Sequence, residues 1–332
     1  MKKTITTHIS LIIILLNAVS PSFCKTNDYP QTAYTIEYRN EMRKFVISIS
    51  QYGKKHNSLF SITPQNGQNL ITDTGKPSGL LQIEYINSIN ATGREDLFYG
   101  YNNDDQPTPQ FHTNEMLELC AIFRNNKISV LVTDYCVTQK KVDNSYYLNN
   151  QHGFISFAAN KRNLTTIPGY PPEPYNMNNN SITNISQAKN FLYLINSEKF
   201  STKNDFITAV NQTNYDLIIM DLYHEDDIFT PDEIQKIKTK SNGGERLIIC
   251  YMSIGEAETY RYYWNPSWSK NKPDFIADEN PAWKGNFKVR YWDQEWQHII
   301  TGNDESYLKK IVDAGFDGVY LDIIDAFEYF EN

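Results

Sequence analysis

Short runs of apolar, β-branched and aromatic residues alternate along this chain with amphipathic stretches of helical period. The alternation is typical of βα units packed around a parallel sheet. Eight strands are predicted, within Leu59 to Pro64, Tyr85 to Leu97, Ile128 to Asp134, Gly153 to Ala158, Phe191 to Ile195, Asp216 to Asp221, Arg246 to Ser253 and Gly318 to Ile323. Eight such units predict an α/β fold, specifically a (β/α)8 TIM barrel.

Helical patterns lie between these strands, for example at Glu41 to His56, Thr113 to Asn125, Asp205 to Gln212, Pro231 to Ser241 and Glu305 to Ala314. The fourth helix has a capping-box signature, because Thr230 precedes it and Glu233 follows three residues later. Residues 168–184, rich in Pro and Asn, are predicted to be a loop. Neither side of that loop has enough strands to close a barrel, so residues 25–332 are predicted to form one domain.

Residues 1–24 have the features of a secretory signal peptide: a basic start, an apolar run from Leu11 to Val19, and a plausible cleavage region ending at Cys24. The alternatives are a retained membrane anchor, for which the run is short, and lipid modification of Cys24. The mature protein is therefore expected to be secreted or periplasmic, with no stable membrane anchor after cleavage.

Composition excludes some functions. With 40% apolar residues the chain can bury a large core. Its formal charge is −8, and cleavage would remove Lys2 and Lys3 with no acid, leaving −10. So acidic a protein is not expected to bind nucleic acid.

No metal or cofactor is predicted. The six histidines are scattered, and neither a phosphate-binding glycine loop nor a Gly-x-Ser-x-Gly elbow occurs. After cleavage Cys120, Cys136 and Cys250 remain, at spacings that match no zinc site or disulfide framework. Cys120 and Cys136 could form a disulfide, or all three could be buried free thiols.

Carboxylates cluster where the predicted strands end, which is where a parallel barrel carries its functional groups. They are Glu95, Asp96, Asp134, Asp221, Glu256, Glu258, Asp322 and Asp325. Any one of them could instead cap a helix or pair with a neighbour such as Arg94 or Arg261. Taken together they favour acid chemistry or cation binding.

All five tryptophans fall between Trp264 and Trp296, in a segment too long for a simple connection. Their faces could stack on sugar rings, or they could form the small core of the segment itself. Carboxylates and aromatic side chains in an exported barrel indicate glycoside hydrolysis, in which two carboxyl groups flank the bond that is cleaved.

At these residues the chain resembles glycoside hydrolase family 114, the endo-α-1,4-polygalactosaminidase-like barrels, from about Tyr38 to Asn332. The segments that carry the resemblance are residues 64–67, 93–98, 190–196, 213–221, 250–264, 280–283, 289–293 and 315–325. Relative to the family these segments are rotated, so that the strands run in the order 5-6-7-8-1-2-3-4. A circular permutant and a fragment of a tandem repeat both remain open.

The resemblance implies roles for particular residues. The family's catalytic pair falls on Asp322 as nucleophile and Glu95 as acid/base. Substrate-binding residues are expected to be Asp221, Tyr251, Glu256, Arg261, Asp134, Gln65, Asn66, Trp264 and Trp292. The implied activity is endo-acting hydrolysis of a galactosamine- or N-acetylgalactosamine-containing polysaccharide. An inactive polysaccharide-binding barrel and a non-functional remnant of a tandem gene are the alternatives.

Overall fold

A computed structural model of the chain describes residues 36–331. The predicted signal peptide lies outside the described residues. No helix among the residues described is long and apolar enough to cross a bilayer.

The described residues form a mixed α/β fold. The strands are β1 (Ser61–Pro64), β2 (Ala91–Glu95), β3 (Ser129–Tyr135), β4 (Ile155–Ala159), β5 (Leu192–Tyr193), β6 (Leu217–Met220), β7 (Tyr223–His224), β8 (Asp227–Ile228), β9 (Leu247–Ser253), β10 (Glu256–Glu258), β11 (Ile276–Glu279), β12 (Asn286–Val289) and β13 (Gly318–Asp322). The α-helices are α1 (Tyr38–His56), α2 (Ile83–Ser88), α3 (Gln110–Asn125), α4 (Gln139–Gln151), α5 (Lys203–Asn211), α6 (Pro231–Ile237), α7 (Gln294–Ile300), α8 (Tyr307–Asp313) and α9 (Phe327–Glu331).

Eight of these strands lie in two parallel sheets. One sheet has the order β1-β13-β9-β6-β5 and the other has the order β2-β3-β4. A parallel bridge between Gln65 and Gly93 connects β1 to β2. In the first sheet β13, the last parallel strand along the chain, pairs with β1, the first one, with Ser61 opposite Gly318. At the far edges, the rings of Phe157 on β4 and Phe191 just before β5 lie 5.7 Å apart.

Each of the eight predicted strands overlaps one of these parallel strands, and the predicted helices are present with shifted ends. One prediction is partly wrong, because the first four residues of the segment from Tyr85 to Leu97 are helical. That short apolar run forms the end of α2, which buries Tyr85 and Ile86; such runs do not distinguish strand from helix. The capping box at Thr230 and Glu233 is confirmed, and so is the loop at 168–184.

The tryptophan-rich segment folds over the carboxyl ends of the parallel strands as a separate antiparallel sheet of order β10-β12-β11. Trp296 is fully buried beneath it, and its indole N–H donates to the carbonyl of Ile254 at 2.9 Å. This long excursion is therefore an ordered subdomain rather than an extended loop.

Candidate active site

A cavity of about 520 Å³ opens where the parallel strands end. Eight of the eleven predicted site residues line it, namely Gln65, Asn66, Glu95, Asp221, Tyr251, Glu256, Arg261 and Asp322. They come from β1, β2, β6, β9, β10 and β13 or the residues just after them. The parallel arrangement brings these sequence-distant side chains together, because carboxyl ends of parallel strands meet at one edge.

Glu95, the last residue of β2, is held by side-chain donors. Its Oε2 accepts hydrogen bonds from the amide of Gln65 at 2.5 Å and from the amide of Asn66 at 3.3 Å. Its Oε1 accepts a short hydrogen bond from the hydroxyl of Tyr135. The carbonyl oxygen of the Asn66 side chain also accepts from the Glu95 backbone N–H. These contacts fix the position and orientation of the carboxyl group.

Asp322 ends β13 and has a different environment. Its Oδ2 accepts from the Tyr251 hydroxyl at 2.6 Å, and its Oδ1 accepts from the backbone N–H of Ile323 at 2.8 Å. Ile323 has a φ of 57°, which is unusual for a β-branched residue and marks backbone strain at this position. Burial raises the pKa of Asp322, the Tyr251 hydrogen bond lowers it, and the nearby charge of Glu95 raises it, to about 7 overall.

Two tyrosines of this site had no predicted role. Besides Tyr135, the buried Tyr193 on β5 donates from its hydroxyl to the Gln65 side-chain oxygen at 2.8 Å. Gln65 thus connects Tyr193 to Glu95 in one hydrogen-bond chain. Tyr193 was in a predicted strand and Tyr135 directly followed one. Their inward orientation depends on strand register, and single-sequence patterns do not specify which tyrosines reach the cavity.

One wall of the cavity is a buried ion network around Arg261. Its guanidinium binds Glu258 at 2.6 Å and Asp221 at 2.8 Å, and the hydroxyl of Tyr260 donates to Glu258 at 2.6 Å. Burial raises the pKa of Asp221, and the charge of Arg261 opposes that shift. Two carboxylates share one cation, so the wall is rigid and carries a net negative charge.

Glu256 ties the antiparallel sheet to the cavity. Only 1% of its surface is exposed. It accepts hydrogen bonds from the side chains of Asn280 at 2.7 Å, Asn286 at 3.4 Å and Lys288 at 3.3 Å. These contacts hold β12 and the turn before it against the strand ends.

Asp134, which was predicted to bind substrate, is not among the residues that line the cavity. It is fully buried. Its Oδ1 accepts from the backbone N–H groups of Phe98 and Tyr99, and its Oδ2 accepts from the side chains of Ser145 and Asn149. Four donors satisfy the carboxyl, which anchors the loop after β2 to α4.

Trp264 and Trp292 also lie outside the cavity lining, contrary to prediction. Trp264 stacks on Phe287 at 5.2 Å, and Trp292 packs against Tyr38 at 5.0 Å. The tryptophan that lines the cavity is Trp283, which was not among the predicted site residues and is 57% exposed. The resemblance included the segment that contains Trp283. Which of the five tryptophans faces the cavity depends on how the tryptophan-rich segment packs.

The remaining chemistry of the described residues is limited. Cys120, Cys136 and Cys250 are all buried free thiols, so the possible disulfide between Cys120 and Cys136 is excluded. Residues 36–331 contain no group of three His, Cys, Asp or Glu side chains placed to hold a metal ion.

A parallel α/β fold that presents two carboxyl groups in one polar cavity at its strand ends is an arrangement that glycoside hydrolases use. Residues 174–332, a little under half of the chain, match the model of Glycoside-hydrolase family GH114. The match includes Asp322, Asp221, Tyr251, Glu256 and Arg261. Glu95 lies outside it.

Three curated relatives are similar to part of the chain. An uncharacterized protein of Methanocaldococcus jannaschii is 41% identical over 156 residues, which are 46% of this chain and 42% of the relative. One from Thermotoga maritima is 45% identical over 101 residues, 30% of this chain and 29% of the relative. One from Deinococcus radiodurans is 36% identical over 126 residues, 38% of each chain. The chain thus spans less than half the length of these relatives.

Proposed function

We propose that this protein is an exported, endo-acting glycoside hydrolase that cleaves a galactosamine- or N-acetylgalactosamine-containing polysaccharide. The observation that carries the proposal is the presence of Glu95 and Asp322 in one cavity, with Glu95 close enough to raise the pKa of Asp322. The family match supports the reaction class, and the acidic composition favours a substrate with free amino groups.

In the proposed mechanism Asp322 is the nucleophile and Glu95 the acid/base. The Asp322 carboxylate attacks the anomeric carbon as the glycosidic C–O bond breaks, and Glu95 donates its proton to the leaving oxygen. Glu95 then takes a proton from water, which attacks the anomeric carbon and releases the sugar from Asp322. This route retains configuration and requires carboxyl groups about 5–5.5 Å apart; a wider separation would favour inversion.

The surrounding residues have roles in this scheme. The Tyr251 hydroxyl and the Ile323 N–H, at 2.6 and 2.8 Å, stabilise the ionised form of Asp322. Gln65 and Asn66 orient Glu95, while the acidic wall of Asp221 and Glu258 favours an ammonium group on the bound sugar. Trp283 offers an exposed ring for stacking.

We further propose that the two parallel sheets are arcs of one (β/α)8 barrel, permuted relative to the family. The pairing of β13 with β1, the bridge from Gln65 to Gly93, and the contact of Phe157 with Phe191 support closure. A closed barrel can be cut between any two units without losing its strand neighbours, which makes the rotated order physically feasible.

The test is mass-spectrometric product analysis. The chain from Lys25 onward would be incubated with partly deacetylated α-1,4-galactosamine polymer, beside its Glu95→Gln and Asp322→Asn variants. We expect oligosaccharides from the unmutated chain only. Intact polymer in all three reactions, with retained binding, would favour the inactive polysaccharide-binding barrel; absence of cooperative unfolding would favour the gene remnant.

A further inference from the structure

The guanidinium of Arg162 lies over the face of the Tyr135 ring, with its Cζ 3.9 Å from the ring centroid. Tyr135 ends β3 and donates the short hydrogen bond to Oε1 of Glu95, whereas Arg162 lies three residues after the end of β4. All three side chains line the cavity at the strand ends. A cation therefore lies behind one of the donors that hold the proposed acid/base.

The Arg162 guanidinium is fixed by the loop that follows β2. It forms a bidentate pair with Asp96, with Nη2 2.9 Å from Oδ1 and Nη1 3.2 Å from Oδ2. Its Nε donates to Asp104 at 2.9 Å, and Nη2 also donates to the carbonyl of Gly100 at 3.0 Å. Bidentate pairing with a carboxylate fixes the plane of a guanidinium. Most of its N–H groups are thus committed to the protein rather than to a ligand.

The backbone of this loop is shaped around the same guanidinium. Asp96 follows Glu95 directly and has a φ of 58°, in the left-handed region that non-glycine residues rarely adopt. Gly100 has a φ of 118°, and a Cβ atom there would overlap Oδ1 of Asp96 and lie 3.1 Å from Nη2 of Arg162. Burial raises the pKa of Asp96, and the hydrogen bond and charge of Arg162 lower it. Arg162 therefore stabilises a strained backbone position next to Glu95.

The positive charge also acts on the Tyr135 hydroxyl. Burial and the charge of Glu95 raise the pKa of that hydroxyl, and the charge of Arg162 lowers it. A cation over a phenol ring draws electron density from the oxygen, so the hydroxyl becomes a stronger hydrogen-bond donor. The donor that contacts Glu95 is therefore both placed and strengthened by Arg162.

We propose that Arg162 is a positioning residue for the Glu95 acid/base. It holds the Tyr135 ring on one side and Asp96, the residue after Glu95, on the other. The Glu95 carboxyl thereby keeps the orientation in which it can protonate the leaving oxygen. The inference rests on the proposed function, because it assigns a residue that aligns the proposed acid/base.

The test separates proton donation from the other steps by changing the leaving group. A sugar oxygen must be protonated as the glycosidic C–O bond breaks, whereas dinitrophenolate leaves as a stable anion and needs no proton. The substrates are partly deacetylated α-1,4-galactosamine polymer and the α-dinitrophenyl glycoside of an α-1,4-linked galactosamine trisaccharide. The readouts are steady-state turnover of the polymer and release of dinitrophenolate in the first turnover, because later turnovers of the glycoside use Glu95 as base.

We expect Arg162→Gln to lower kcat on the polymer about 30-fold with KM changed less than about twofold, since a general acid contributes about 10²–10⁴-fold and only its orientation is lost. First-turnover release of dinitrophenolate should fall less than about threefold. Arg162→Lys, which keeps the charge without the bidentate pair, should restore part of the polymer activity. The control is Arg124→Gln, an exposed arginine outside the cavity that donates to the carbonyl of His152 at 3.0 Å, and it should match the unmutated chain with both substrates.

Asp104→Asn is the second variant, for use if Arg162→Gln does not fold. Asp104 lies in the exposed loop and accepts from Nε of Arg162, so its substitution loosens the guanidinium without opening the core. We expect the same pattern at smaller size, with polymer turnover about threefold lower and dinitrophenolate release unchanged.

Equal losses on the polymer and on the activated glycoside, in folded Arg162→Gln or in Asp104→Asn, would overturn the inference, since they would indicate damage to the whole site. Full polymer activity in Arg162→Gln would also overturn it. Both outcomes leave the proposed hydrolysis intact. An unmutated chain that releases neither oligosaccharides nor dinitrophenolate would instead refute the proposed hydrolysis, and this inference with it.

Discussion

The part of the chain that matches the family, residues 174–332, and the part before it each contribute one carboxyl group to the proposed catalytic pair. The matched part carries Asp322 and its partner Tyr251, whereas the preceding part carries Glu95 with Gln65 and Asn66. Neither part holds both groups. Likeness to the family is therefore concentrated in one part, but the proposed chemistry needs both.

The two parts also interlock at the site. Tyr193 of the matched part donates to Gln65 of the other, at 2.8 Å. Gly93 lies directly beneath the hydroxyl of Tyr320, where a Cβ atom would come within 2.0 Å of it. The difference between the parts teaches that a family match to one part of a chain can leave out residues of the proposed catalytic site.

The largest expected effect comes from breaking the pair across the two parts. Glu95→Gln and Asp322→Asn should each lower kcat by about 10³-fold or more, and the double variant should lose little beyond either single one, because the two groups act as a unit. Steady-state kinetics on the polymer measures this. Independent, multiplicative losses would show that the two carboxyl groups do not work in one reaction.

The next effect is on stability. Gly93→Ala should destabilise the fold by about 1–3 kcal/mol, because β1, β2 and β13 must shift to relieve the clash with Tyr320. Urea unfolding measures the change. The matched control is Gly169→Ala, a glycine with open space around it, which should be close to neutral. Equal stability of the two variants would contradict this packing at the junction.

A smaller effect distinguishes the two carboxyl groups by pH. Asp322 must be ionised to act as nucleophile, so kcat/KM should fall as the pH drops through its pKa of about 7. The Tyr251→Phe variant lacks the hydroxyl that favours the ionised form of Asp322, so the pKa of Asp322 should rise. The acidic limb of the plot of kcat/KM against pH should then move up by about one pH unit.

Tyr135→Phe is the comparison for this shift, because its hydroxyl contacts Glu95 rather than Asp322. In that variant the limb near pH 7 should stay in place. A limb that moves in Tyr135→Phe and not in Tyr251→Phe would assign the titration to Glu95 and reverse the proposed roles.

The smallest effect concerns the contact between the first and last helices described. Arg39 on α1 forms an ion pair with Glu331 on α9 at 2.9 Å, and both side chains are about one-third exposed. Arg39→Gln should therefore cost less than about 1 kcal/mol of unfolding free energy, and less still in high salt. Thermal unfolding at two salt concentrations measures it; a loss of several kcal/mol would mean that this pair holds the two parts together.

Much of the architecture was predictable because strand and helix periods are local. Ile62, Val132 and Ile249 lie in buried apolar runs. Each run was predicted to be a strand, and each forms one. Helix α4 has a weaker sequence signal because its apolar stripe is narrow. Of its thirteen residues only Val142, Ser145, Tyr146 and Asn149 are buried, and two of those are polar.

Part of the candidate site was predictable because strands can be located from local sequence patterns. Residues at strand ends can be read from the sequence once the strands are located, and this reasoning found Glu95, Asp221 and Asp322. It did not distinguish them from Asp134, which also ends a strand but is satisfied by four donors, from residues 98, 99, 145 and 149.

The sequence by itself determined the alternation of strands and helices, the position of carboxylates at strand ends, and the resemblance that pairs Asp322 with Glu95. Only the tertiary structure decided which carboxylates face the cavity, that Arg261 neutralises part of its wall, and that the pKa of Asp322 rises to about 7. The physical reason is that burial, hydrogen-bond partners and neighbouring charges come from residues far apart in the chain, as when Tyr251 contacts Asp322 across 71 positions.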